Sequence, residues 1–167
     1  WLKGHNAIVR TMPNTPALIG KGITGMVATD GVSKEQRAAA DAIMRAVGET
    51  VWLDDEKLID PVTAVSGSGP AYVFYFIEAM QQAAQEMGLT AEQGNALAIS
   101  TFVGAAQLAS QASDPVAVLR ERVTSKGGTT YAALTSMEAS GVKQSIINAM
   151  KAAAARGQAL GEEFGQD

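Results

Sequence analysis

Cysteine is absent from the 167-residue chain, which rules out a disulfide framework and any thiolate metal site. That absence suits a reducing compartment, and the cytoplasm is the expected location. Histidine occurs once, as His5, near the start, and is a weak candidate for a general base. No spacing resembles a metal site or a Ser/His/Asp arrangement, so no metal is expected. Basic runs are missing too. With a net charge of -4, the chain lacks the clustered Lys and Arg that non-specific nucleic-acid binding requires. Long apolar runs are also absent. Each is broken by Gln, Glu, Ser or Asn well before the ~20 residues of a membrane span, and the first residues do not read as a signal peptide. What is present is 47% hydrophobic and 18% charged, enough for a packed core in one compact domain, or in one domain plus part of another. The chain opens at Trp1 without an initiating Met, and so reads as a fragment that begins mid-domain.

Two textures follow one another. Ala7 to Met12 and Gly22 to Thr29 are short, β-branched and bounded by Pro and Gly, as strands are. Ser33, with Gln36 three residues on, forms a capping box for a helix stopped by Gly48. Thr50 to Leu53 reads as a third strand. From Pro61 onward only helices are expected. One starts at Pro70 and stops at Gly88; its first half is apolar on every side and should be buried all round. Thr90 and Gln93 cap the next, to about Gln111, rich in small residues such as Ala98 and Gly104 that let helices approach closely. A short helix runs from Asp114-Pro115 to about Arg122, another stops at Gly141, and a last one runs to the end. The Ala/Gly-rich helix and the apolar start of the Pro70 helix offer more buried-type surface than one small bundle covers, which predicts an obligate, intertwined dimer.

Three irregular stretches hold the candidate chemistry. In "VTSKGGTTYAAL" (Val123 to Leu134), Gly127 and Gly128 bare the backbone at a helix mouth, where about four N–H groups lack partners. Ser125, Thr129 and Thr130 add hydroxyls. Together they make a cradle for a small carboxylate or phosphate; a well-capped helix after a tight turn explains the same residues equally well. "AVSGSGPAYVF" (Ala64 to Phe74) reads as a glycine loop in close backbone crossing or ligand contact, in preference to a flexible linker. "MPNTPA" (Met12 to Ala17) is a stiff turn at the carboxyl end of a strand, where α/β sheets bind ligands; a plain rigid loop is the competing reading. Arg120, Glu121 and Arg122 precede the first loop and read by default as a surface helix end.

These stretches, with "GNALAISTFVGAA" and "LRERVTSKGGTTYAAL", resemble pyrroline-5-carboxylate reductase in the same order and spacing across almost the whole chain. The resemblance implies a mainly α fold. Residues 1–60 would be the tail of a dinucleotide-binding Rossmann domain, with short strands plus one helix, and 61–167 an all-helical, interlocked domain for dimerisation and substrate binding. It implies NADPH or NADH as cofactor of the whole enzyme. The family's G-x-G-x-x-G/A phosphate loop, expected after a first strand, is not read in this chain. This chain alone should therefore bind no cofactor and be inactive, with Asn14 and Ser66 as weak candidates for cofactor contact. It implies that Ser125, Gly127, Gly128, Thr129 and Thr130 hold the substrate carboxylate, and that the Thr130 hydroxyl meets the ring nitrogen in the catalytic role. The family commonly has Pro where Lys126 stands. Other classes remain: a non-catalytic dimerisation module, or a hydroxyacid-type Rossmann reductase, which the lack of a Lys in "PAYVFYFIEAM" disfavours.

Overall fold

Three short strands and seven α-helices make up most of the computed structural model, which describes residues 4–165. Trp1, on which the reading of a mid-domain start rests, lies outside them. The described residues fall into two compact units. One contains the residues up to Tyr72 together with those from Asn148 on; the other is Val73–Ile147.

The first unit is built on a sheet of order β1-β2-β3, with β1 Val9–Met12, β2 Gly22–Ala28 and β3 Gly48–Trp52. Strands β1 and β2 are antiparallel, with Val9 opposite Ala28. Strands β2 and β3 are parallel, with Thr24 beside Thr50 and Met26 beside Trp52. Parallel neighbours share a face, so Thr24, Met26, Thr50 and Trp52 point one way and Ile23, Gly25 and Val51 the other. The central strand is the most buried element, and Met26 is fully enclosed. Helix α1, Lys34–Arg45, links β2 to β3. The Ser33–Gln36 capping box starts it, with reciprocal bonds of 3.2 and 2.8 Å. It ends at Arg45, three residues before Gly48, which instead begins β3. On the other face, Gly25 has no side chain because a Cβ there would lie 2.7 Å from Val62 Cγ1. Val62 ends the short helix α2, Ile59–Val62.

The stretch read as a glycine loop is helical. After α2, residues Thr63–Gly67 form a π turn, in which the Ser68 N–H reaches the Thr63 carbonyl at 2.8 Å, and helix α3, Gly69–Glu86, follows. Glycine and serine suggested a loop because their intrinsic helix propensity is low. Continuity with helices on both sides overrides that preference.

In the second unit, α3 from Val73 on packs against α4, Ala91–Gln111. The Thr90–Gln93 capping box opens α4 with bonds of 3.2 and 2.9 Å. The close approach lies at Gly94, where a Cβ would sit 3.1 Å from that of Ala84. Ala98 is buried, and Phe76 meets Phe102 edge-on at 5.9 Å. Gly104 faces open space. Helices α5, Val116–Arg122, and α6, Thr129–Ala139, follow, and α7, Val142–Phe164, carries the chain back into the first unit. The expectation that the start of α3 is buried all round does not hold within one chain. Phe74 and Tyr75 are 62% and 75% exposed, and Val73 is exposed as well. One chain has too few facing side chains to cover both sides of α3.

Asp41 ties α1 to β3. Its carboxylate accepts from Thr50 Oγ1 at 2.7 Å, Arg45 Nε at 2.5 Å and Trp52 Nε1 at 2.9 Å. Those bonds, the Thr50 hydroxyl foremost, lower its pKa to about 2. Arg37 also stacks over the Trp52 ring at 4.0 Å. The folded pKa lies below the ~3.9 of an unfolded Asp. The cluster's contribution is therefore present above about pH 4 and is lost as pH falls through about 2. Asp41→Asn should lower the melting temperature at pH 6, and its deficit relative to wild type should shrink by pH 2. A deficit unchanged with pH would contradict the linkage.

Candidate functional site

The loop between α5 and α6 folds as the sequence chemistry requires. Helix α5 ends with the Thr124 hydroxyl donating to the Arg120 carbonyl at 2.6 Å and the Thr124 N–H to Glu121 at 3.0 Å. The Gly128 N–H then closes a turn onto the Ser125 carbonyl at 3.0 Å. Gly127, third in that turn, has φ of 73°, the left-handed conformation a type II turn demands at this position. Lys126 occupies the second position, where Pro is favoured but not required. Gly128 caps α6 with extended backbone and no side-chain bond. A Cβ on Gly128 would lie 2.5 Å from Ser125 Oγ, so the Ser125 hydroxyl lies against the glycine at the helix mouth.

The first α6 carbonyl bond joins the Ala132 N–H to Gly128 at 3.1 Å. The N–H groups of Thr129, Thr130 and Tyr131 are therefore left over at the helix start. The hydroxyls of Ser125, Thr129 and Thr130 have no hydrogen-bond partner among the described residues; Thr129 is exposed and Thr130 half-buried. Ser125, Gly127 and Gly128 thus lie in one turn, and Thr129 and Thr130 open the helix that follows it. Arg122 is spent on Asp114 at 2.7 Å, whereas Lys126 and Arg120 form no ion pair among the described residues. Unpaired N–H groups, free hydroxyls and nearby cations suit a small anion such as a carboxylate. Within the same unit, a groove of about 310 Å³ is lined by Phe76, Leu134, Met137 and Ile146, with Arg120 and Lys143 among its polar residues. Sequence spacing did not reveal this groove, because its residues come from four separate helices.

Asn14 and Ser66 lie in the other unit and meet each other, Asn14 Nδ2 donating to Ser66 Oγ at 3.2 Å. Asn14 Oδ1 also accepts from the Ile23 N–H at 3.0 Å. The spacing G-x-G-x-x-G does occur, at Gly20, Gly22 and Gly25, contrary to the reading that no such stretch is present. Its residues run into β2, however, and a helix N-terminus does not follow them. A dinucleotide pyrophosphate needs that strand–turn–helix setting, so the described residues do not fit the phosphates of NADPH or NADH. His5 is exposed, its Nε2 3.1 Å from the Ala7 carbonyl. Among the described residues no His/Asp/Glu cluster could hold a metal, and no helix is long and apolar enough to cross a membrane.

The turn makes opposite predictions at adjacent residues. Gly127→Ala should cost about 1–2 kcal/mol, since only the left-handed backbone opposes it and no atom lies within 4 Å. Lys126→Pro should be neutral or stabilise by about 0.4–1 kcal/mol through the unfolded state. Urea melts of both variants check this, and equal effects would refute the turn assignment.

Comparison with known proteins points in one direction. Residues 56–160 match the family described as pyrroline-5-carboxylate reductase dimerisation. The pyrroline-5-carboxylate reductase of Pseudomonas aeruginosa is 46% identical over 99% of this chain and 61% of its own length. The Bacillus subtilis protein named pyrroline-5-carboxylate reductase 2 is 40% identical over 95% of this chain and 56% of its own length. A structure of the Coxiella burnetii pyrroline-5-carboxylate reductase superposes with a TM-score of 0.89 at 44% identity, covering 92% of this chain and 57% of the other. The Plasmodium falciparum enzyme, solved with NADP bound, gives 0.88 at 34% identity over 95% of this chain and 60% of its own. The chain thus spans about three fifths of the length of these relatives.

Proposed function

Since the chain belongs to the pyrroline-5-carboxylate reductase dimerisation family, we propose that it is the dimerising and substrate-holding part of such a reductase. The whole enzyme would use NADPH or NADH to reduce the cyclic imine 1-pyrroline-5-carboxylate to L-proline, in proline biosynthesis in the cytoplasm. Residues 1–60 would be the tail of the dinucleotide-binding domain and 61–167 the functional helical part; the family match beginning at residue 56 supports a boundary near there. The observation that carries the reading is the α6 entrance, where the N–H groups of Thr129, Thr130 and Tyr131 are left over and the neighbouring hydroxyls of Ser125, Thr129 and Thr130 have no partner among the described residues.

In this reading the substrate carboxylate lies against the N–H groups of Thr129 and Thr130, beside Ser125 and the bare Gly127–Gly128 backbone. The Thr130 hydroxyl bonds the ring nitrogen. A proton held on that nitrogen makes the neighbouring carbon electrophilic, so the site's work is orientation and electrostatic stabilisation, without a strong general base. The near absence of histidine agrees with that division of labour. The described residues give the cofactor phosphates no cradle, and this favours a second statement: the chain by itself is a non-catalytic homodimerisation module that binds NADPH weakly or not at all.

Thr130→Val in the intact reductase keeps the side-chain shape and removes the hydroxyl. Loss of a transition-state hydrogen bond should cost about 1–3 kcal/mol, roughly a 5- to 150-fold fall in kcat/KM, with dimer assembly intact. Steady-state kinetics beside a melting curve is the check. Normal kinetics would refute the substrate role.

A further inference from the structure

We infer that Asn14 and Ser66 form a clamp that keeps residues 63–67 in their π turn. A π turn holds one residue more than an α-helical turn would, and such turns are rare. The wider turn shows at the Ser68 N–H, which reaches the Thr63 carbonyl five residues back at 2.8 Å. Two contacts from outside the helix fix the bulge. Asn14 Nδ2 donates to Ser66 Oγ at 3.2 Å, and the Met12 methyl occupies the space beside Gly67, 2.7 Å from where a Cβ would stand.

Asn14 is itself anchored. It sits between Pro13 and Pro16, and its Oδ1 accepts the Ile23 N–H at the start of β2 at 3.0 Å. One carboxamide therefore uses its acceptor on the sheet and its donor on the helix. Its side chain is thereby withheld from the short 3₁₀ helix Thr15–Ile19, which it precedes without capping. A cap, made through the side-chain oxygen, is the ordinary role for Asn at that position; here Oδ1 is taken by the Ile23 N–H, and Nδ2 reaches Ser66, 52 residues away. The contact also sets where Ser66 lies. Ser66 is the one residue with a polar side chain lining the cavity of about 330 Å³ between the sheet and α2.

Amide hydrogen exchange in the 167-residue chain separates this clamp from ordinary helix propensity, because the two predict opposite signs. Ala is the better helix former, so without a clamp Ser66→Ala should leave Ser68 exchange unchanged or slow it. With the clamp, Ser66→Ala should speed Ser68 exchange about five- to tenfold, the loss of one side-chain hydrogen bond, and leave Ile23 unaffected. Asn14→Ala should speed both amides. Added to Ser66→Ala, it should change Ile23 alone. Ser66→Thr, which retains the acceptor, should restore protection at Ser68. Unchanged or slower Ser68 exchange in Ser66→Ala overturns the proposal. So does a loss of protection that is uniform along the chain, since that would show general destabilisation without a local clamp. Neither result bears on the α6 site, which lies in the other unit.

Discussion

Helices α3 and α4 carry apolar side chains on faces that one chain leaves open. Val73, Phe74, Tyr75, Leu97, Val103 and Leu108 are all exposed, while Ala84 and Ala98 are the buried apolar residues of these two helices. Burying six such side chains is worth on the order of 10 kcal/mol, as much as the whole stability of a typical domain. Between the helices Gly94 approaches Ala84 closely and Phe76 meets Phe102 edge-on. The six exposed side chains are left outside that contact. A second copy, as proposed, would cover them, and the family match over 56–160 supports that arrangement.

The α6 entrance works on a different principle. Its geometry is set locally, by the Ser125–Gly128 turn and the left-handed Gly127, and needs little buried surface. A site fixed by backbone hydrogen bonds can sit on exposed helices without losing its shape. Lys126 stands at the second position of that turn, where proline is favoured but not required, and it adds a positive charge near the helix mouth.

What was legible in the sequence was local. Ser33 with Gln36, and Thr90 with Gln93, start helices through a bond pattern spanning three residues, and both formed. The glycine turn before Thr129 was legible for the same reason. Long-range effects were not. The π turn at Thr63–Gly67 is held by Asn14, far away in sequence, so its glycine and serine content read as a loop. The G-x-G-x-x-G spacing at Gly20–Gly25 illustrates the converse. Two of its glycines serve packing, Gly22 against Ala17 and Gly25 against Val62, and spacing alone does not separate that use from a phosphate cradle. The apolar start of α3 read as buried all round, yet Phe74 and Tyr75 are exposed in one chain; periodicity does not say whether covering residues belong to the same chain.

The central claim is that these helices are complete only in pairs. Sedimentation equilibrium of the 167-residue chain at micromolar concentration tests it directly. The account predicts a species of about twice the chain mass of 17.3 kDa, dissociating only together with loss of helical signal. A stable, fully helical monomer at that concentration would contradict it.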